Sequence, residues 1–307
     1  MKPFNQRYNK NDTAFFWNKK GAFFIVLSAL LASVTNSCVH GLTSYISAGQ
    51  LLFLKAGVAF ILCSPWIIRY WKNIIGSPNK KWHVQKAVFG AAGNVFWITA
   101  LQTLPLADAS ILSLTSALLT TLGATVFFKE RLRFATLGAL ALGGLGVCIV
   151  IKPSMAVFSW HALLPLMSAL CYSASSLFVK KVSVDDSTIV SLVYLLGGMT
   201  VLSAPFAYAA WVSLSSWDFL LIVSIAVFYW GIQWSLIYAY AHASAGFLAP
   251  FKFVRFPLAC VIGVVFFAET PSSYVVGGAF LIFCACGLIQ FTRHDPSHLF
   301  KTRSGQK

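Results

Sequence analysis

The stretch Gly246–Glu269, GFLAPFKFVRFPLACVIGVVFFAE, is long and apolar enough to cross a bilayer, yet it contains Lys252 and Arg255. About 20 apolar residues cover the ~30 Å hydrocarbon core. A helix entering near Gly246 carries Arg255 roughly 13 Å inward at ~1.5 Å per residue, close to the midplane. There a cation costs about 2.5 to 3.5 kcal/mol even on the lenient insertion scale, so its helix face has to look toward protein or a watery cavity. Lys252 and Arg255 are three residues apart and share that face. Pro250 and Pro257 flank them, and Pro257 releases the carbonyl of Phe253 from its helical hydrogen bond. Such a break is tolerated at membrane depth where the loosened backbone lines a cavity or is covered by protein. The stretch reads as the binding-site helix of a membrane protein.

The rest of the chain agrees. Of its 307 residues, 58% are hydrophobic and only 10% charged, with a mean hydropathy of +0.76, which leaves too little polar surface to cover a water-soluble globule. The net charge of +15 does not point to nucleic acid, because the basic residues fall in the gaps between apolar runs, where they set topology. The seven cysteines all lie inside apolar segments without metal-type spacing to histidines, so they read as small packing residues and no metal or cofactor is expected. No nucleophile elbow, phosphate loop or zinc-protease motif occurs, and the expectation is a protein that is not an enzyme and has no catalytic residues.

Apolar spans fall near residues 21–39, 46–68, 87–104, 107–128, 134–151, 161–179, 188–211, 219–241, 246–267 and 274–291. The expected fold is therefore an all-α polytopic membrane protein of ten transmembrane helices. With the N-terminus inside, nineteen Lys and Arg residues lie in cytoplasmic segments and one, Lys152, outside. That asymmetry predicts both termini in the cytoplasm. It makes residues 1–20 and 294–307 cytoplasmic tails and places the chain in the inner, or plasma, membrane.

The sequence also repeats. Val126-Phe127-Phe128-Lys129-Glu130 matches Val265-Phe266-Phe267-Ala268-Glu269 at an offset of 139, and Ser28-Ala29-Leu30 recurs as Ser168-Ala169-Leu170. Two units follow, residues 21–153 and 154–293, with five helices each. An odd number of spans turns the second unit upside down relative to the first, which is the inverted repeat of secondary transporters that bind substrate where the halves meet.

The doubled unit, with an apolar fourth helix ending in Phe-Phe-x-Glu at Glu130 and Glu269 and then a Gly-rich fifth helix, resembles the EamA-type members of the drug/metabolite transporter superfamily. The resemblance spans residues 21–291. It implies a ten-helix carrier of small organic metabolites with a central cavity. Within the family, basic residues in helix two and around Ala249–Phe253 are similar to the S-adenosylmethionine uptake carriers.

Candidate substrate-binding residues follow from the cost of polarity at membrane depth. Lys55 sits about nine residues into helix two, near the same depth as Arg255. Lys252 either faces the cavity or snorkels along its four-carbon stem. Asn94 and Gln233 occupy equivalent places in the two units, as do Asn36 and Ser176, and each pair either lines the cavity or bonds between helices. Trp97 and Trp230 are candidates to close over a ligand. Asp108, just after Pro105, is the candidate coupling residue.

Buried cations without a visible acid predict secondary transport of a metabolite bearing a carboxylate, an amino acid or a related compound. S-adenosylmethionine, the alternative, is net positive; one like charge 6 Å away costs about 2.8 kcal/mol at an effective dielectric near 20. A non-transporting scaffold or a lipid flippase component is the alternative of another class. The partners expected are a small-molecule metabolite, the lipid bilayer and a second copy of the chain in a homodimer, with no nucleic acid.

Overall fold

A computed structural model describes residues 10–127, 134–151, 160–183, 185–242, 248, 261–262, 264–266 and 272–293. The described residues form helices, with no strand among them. In lipid this is forced, because an N–H or C=O left unpaired in hydrocarbon costs several kcal/mol and a helix pairs them within itself. The long helices are α1 (Lys10–Leu42), α2 (Ala48–Leu62), α5 (Lys80–Thr103), α8 (Phe134–Ile151), α9 (Leu163–Val182), α10 (Thr188–Ala209), α11 (Ser216–His242) and α12 (Ser273–Arg293). Short helices α3 (Ser64–Arg69) and α4 (Trp71–Ile75) follow α2, and α6 (Leu106–Ser113) and α7 (Thr115–Phe127) follow α5. Among the described residues, four segments are each long and apolar enough to cross a membrane: Lys20–Leu42, Trp160–Val182, Thr188–Ala209 and Ser216–His242.

Polarity is distributed in the reverse of a water-soluble protein. Val201, Phe206, Leu145 and Phe280 stand on the outside, while Lys55, Lys86, His83, Asn94 and Gln233 are buried. The main helix pairs are α1 with α11, α5 with α9, α2 with α10 and α8 with α12. Ser47 caps α2 by accepting from the Gln50 amide, and Ser187 caps α10 by accepting from the Val190 amide.

Two expected spans are interrupted. The run 46–68 ends as a helix at Leu62, and Ser64-Pro65 starts a new short helix; a proline has no N–H to continue the ladder and restricts the residue before it. The run 107–128 breaks at Leu114. There Ser113 Oγ donates to the Ser110 carbonyl and Thr115 Oγ1 to the Leu112 carbonyl, so side-chain hydroxyls compete for carbonyls at the break.

Close helix approach depends on glycine at two crossings. A Cβ on Gly49 of α2 would come within 2.7 Å of Phe206 Cβ, and one on Gly198 of α10 within 2.5 Å of Ala87 Cβ, whereas one on Gly41 of α1 would meet nothing. Overpacking of this kind costs about 1–3 kcal/mol. Gly49→Ala and Gly198→Ala are expected to lower the thermal midpoint of the purified protein. Gly41→Ala should leave it unchanged or raise it slightly, as expected for alanine in a helix.

Candidate functional site

The bundle holds a cavity of about 170 Å³ whose walls include α1, α2, α5, α9, α10 and α11 and the α6/α7 break. Lys55, the eighth residue of α2, reaches it. The Lys55 side chain is only 4% exposed. Its ammonium donates to Asn94 Oδ1 at 2.9 Å and lies over the Tyr229 ring, 4.6 Å from the centroid. That distance suits a cation–π contact. An ammonium carries three N–H donors. One is taken by Asn94, and among the described residues that line the cavity there is no Asp or Glu.

Asn94 and Gln233, expected from the sequence to be counterparts at an offset of 139, meet through a third residue. Asn94 Nδ2 donates to the Gly90 carbonyl at 2.9 Å and to Tyr229 Oη at 3.2 Å. Gln233 Nε2 donates to the same Oη at 2.7 Å, and the Tyr229 hydroxyl donates to Met199 Sδ at 3.2 Å. With both amide donors committed, the Asn94 oxygen has to point at Lys55. Tyr229 therefore positions the cation through Asn94 and carries it on its ring.

The other expected residues divide. Asn36 and Trp97 both line the cavity, and Trp97 Nε1 donates to Asn36 Oδ1 at 3.1 Å. Ser176 lines it as well, together with Ser175, Ser28, Ser113 and Ser116. Trp230 does not. Its indole N–H donates to Cys63 Sγ at 3.1 Å, and its ring stacks near Trp66 and Trp234, so it joins α11 to the α2–α3 junction away from the cavity. Asp108 lies half-buried in the first turn of α6 and is not part of the cavity wall. Lys252 and Arg255 lie outside the described residues, as do Glu130 and Glu269. Tyr229, one helical turn before Gln233 on the same face, lines the cavity too, and Tyr172, Thr35 and Ser175 are further lining residues that no pattern in the sequence singles out.

A sequence model of the EamA-like transporter family matches residues 19–152. A riboflavin transporter of Rhizobium johnstonii is 30% identical over 86% of this chain and 89% of its own. The chain belongs to the EamA-like transporter family. It is accordingly an integral, multi-pass protein of the inner membrane, and a transporter in a family whose members are named for moving small molecules. The pseudopaline exporter CntI of Pseudomonas aeruginosa is 25% identical over 90% of this chain and 97% of its own. The S-adenosylmethionine uptake transporter of Rickettsia prowazekii is 22% identical over 85% and 89%. One solved structure superposes with a TM-score of 0.64 at 19% identity, covering 91% of this chain and 97% of that one; it establishes the fold alone.

The hydrogen-bonded hub carries its own test. Removing the Tyr229 hydroxyl orphans the buried Gln233 amide, and an unsatisfied buried donor costs about 1–3 kcal/mol. Tyr229→Phe should lower the thermal midpoint, and the double variant Tyr229→Phe/Gln233→Leu should recover part of the loss. Equal midpoints for the wild type and Tyr229→Phe would show that the amide has another partner.

Proposed function

We propose that this EamA-like protein is a secondary transporter that moves a compact organic metabolite bearing a carboxylate or a similar anionic group by alternating access. The observation that carries the reading is the buried Lys55 ammonium in the cavity wall, which among the described residues has one hydrogen bond, to Asn94, and faces no lining acid. Such a cation is costly at membrane depth unless something compensates it, and a substrate anion is the compensating group. Cavities for drug-sized ligands run to about 300–1,000 Å³. A volume of about 170 Å³ favours a ligand of amino-acid size in this conformation.

The carrier is built, in this proposal, from ten transmembrane helices in two inverted five-helix units with both termini in the cytoplasm. Several observations support the two units. The pairing of α1 with α11 is mirrored by that of α9 with α5, while α2 pairs with α10 and α8 with α12, the pattern that a two-fold exchange of units produces. Ser47 and Ser187, 140 residues apart, cap equivalent helices. Ser113 and Ser116 line the cavity, and Lys252 and Arg255 are their counterparts at the offset of 139. On that equivalence in the sequence, Lys252 and Arg255 stay in the proposed binding set.

Riboflavin is the second reading. It rests on the 30% identical relative and on the aromatic side chains of Trp97, Tyr172 and Tyr229 in the wall. S-adenosylmethionine is the third, suggested by more distant relatives and opposed by the charge of the site.

Uptake into proteoliposomes separates these readings. Acidic and neutral amino acids, their decarboxylated amines, riboflavin and S-adenosylmethionine are the panel. Uptake of a carboxylate that its amine analogue does not share is expected. Lys55→Gln should reduce it at least tenfold, and Asn94→Asp, which seats a fixed carboxylate beside the ammonium, should reduce it as strongly. Riboflavin uptake alone establishes the second reading. Preference for the amines, or full activity in Asn94→Asp, refutes the anion site.

A further inference from the structure

The end of the bundle opposite Tyr45 and Gln50 holds a second buried polar cluster that does not line the cavity. His83 and Lys86 lie one helical turn apart near the start of α5, ahead of the apolar run that begins at Ala87, and both are fully buried. Lys86 Nζ donates to the carbonyl and to the Oγ of Ser191, each at 2.6 Å, and lies 3.2 Å from His83 Nδ1. His83 Nε2 lies 3.0 Å from Asp186 Oδ2. The same carboxylate oxygen accepts from Ser77 Oγ at 2.8 Å and from Asn79 Nδ2 at 3.1 Å. Tyr194 stacks on the imidazole, its ring 4.5 Å away and within 8° of parallel.

These contacts fix the state of the histidine. An ammonium only donates, so Nδ1 accepts from Lys86 and Nε2 carries the proton that it donates to Asp186. The imidazole is neutral, one positive and one negative group sit at its two ends, and all three ammonium hydrogens are used. Apart from the Lys86–His83 contact within α5, every bond in this chain joins the segment before or within α5 to the segment before or within α10. In the two-unit reading these are bonds between the first unit and the second, at the end where the units have to part once in each transport cycle.

We infer that the Lys86–His83–Asp186 chain is a proton-responsive latch that closes this end of the carrier. The inference rests on the alternating-access reading above, but not on the substrate. Protonating His83 places an N–H where Lys86 already donates and sets two buried cations side by side, so the latch cannot hold a charged imidazole. While the latch is shut, burial and, secondarily, the neighbouring Lys86 keep the imidazole well below its ordinary 6.5, at about 4, against the opposing pull of Asp186. Parting the units admits water and returns His83 to about 6.5. A group whose value is depressed in the closed form stabilises that form above the open value, and the stabilisation is lost as pH falls from about 6.5 toward 4.

The surrounding groups do not reverse the sign. Burial pulls Lys86 downward as well, and the Asp186 charge pulls it back, so the ammonium that faces Nδ1 opposes a charged imidazole. Asp186 faces the imidazole directly, and Asp185 reaches the cluster through Asn79 at 3.1 Å. Tyr194 is engaged with the Ile74 carbonyl at 2.7 Å. Acidification at this end therefore opens the latch. Between pH 7.5 and 5.5 the His83 contribution shifts the open-to-closed ratio by about tenfold.

The test uses the full chain in nanodiscs without substrate. Ketone-bearing noncanonical residues at positions 72 and 181, both exposed, carry spin labels, and pulsed EPR reads the distance distribution across this end. In the wild type the ratio of long to short distances is expected to rise about tenfold from pH 7.5 to 5.5. His83→Gln keeps an acceptor for Lys86 and a donor for Asp186 but does not titrate; it should stay closed at both pH values. Asp186→Asn should shift the distribution toward long distances already at pH 7.5. An unchanged wild-type distribution, a full pH step retained in His83→Gln, or a fully closed Asp186→Asn would each overturn the latch. Since no substrate is present, a failure here leaves the anion site standing, and uptake that prefers amines over carboxylates refutes the anion site but leaves the latch standing.

Discussion

A lysine ammonium enclosed between helices has to be solvated by the protein, and the arrangement around Lys55 follows from that requirement. Asn94 supplies an acceptor at 2.9 Å and Tyr229 a ring face at 4.6 Å. Asn94 can do so because its own donors are committed to Gly90 and to the Tyr229 hydroxyl. That hydroxyl is in turn held by Gln233 and Met199. The chain of contacts runs through α2, α5, α10 and α11, so the helices that wall the cavity are also those that hold its charge in place. Among the described residues the ammonium has one hydrogen-bond acceptor and one ring face, and in the proposed carrier the substrate anion completes its shell.

The same logic explains why the protein is polar inside and apolar outside. Lipid supplies no hydrogen bonds, so buried polar side chains find partners across helices, while Val201, Phe206 and Phe280 stand exposed on the surface. Helix contacts then rest on shape, and glycines at positions such as 49 and 198 permit the close crossings of α2 and α5 with α10. Polar residues cluster at two levels, around Lys55 in the cavity and around His83 at one end. In the proposed carrier the first selects the cargo and the second seals one side.

Much of this was legible in the sequence, for a stated reason. A polar residue in an apolar span is costly enough to stand out, and Lys55, Asn94, Gln233, Asn36 and Ser176 all reach the cavity. Trp230 was not legible in the same way, since an aromatic residue is equally at home against protein, ligand or lipid, and here it bonds Cys63. Lys86 was counted only as a topological charge next to the apolar run at Ala87. Burial against Ser191 depends on where residues more than one hundred positions away come to lie, which no local pattern reveals. The helix breaks at Cys63 and Leu114 were masked by continuous hydrophobicity, although Pro65 and the Ser113/Thr115 hydroxyls supplied the local cause.

The account stands on the claim that Lys55 receives the anionic group of the substrate. A structure of the full-length protein with its transported substrate bound tests that claim most directly. A substrate oxygen within about 3 Å of Lys55 Nζ, with the Asn94 and Tyr229 contacts preserved, is the predicted result. A substrate whose charged group lies elsewhere, with the Lys55 ammonium bonded only to protein, would contradict it.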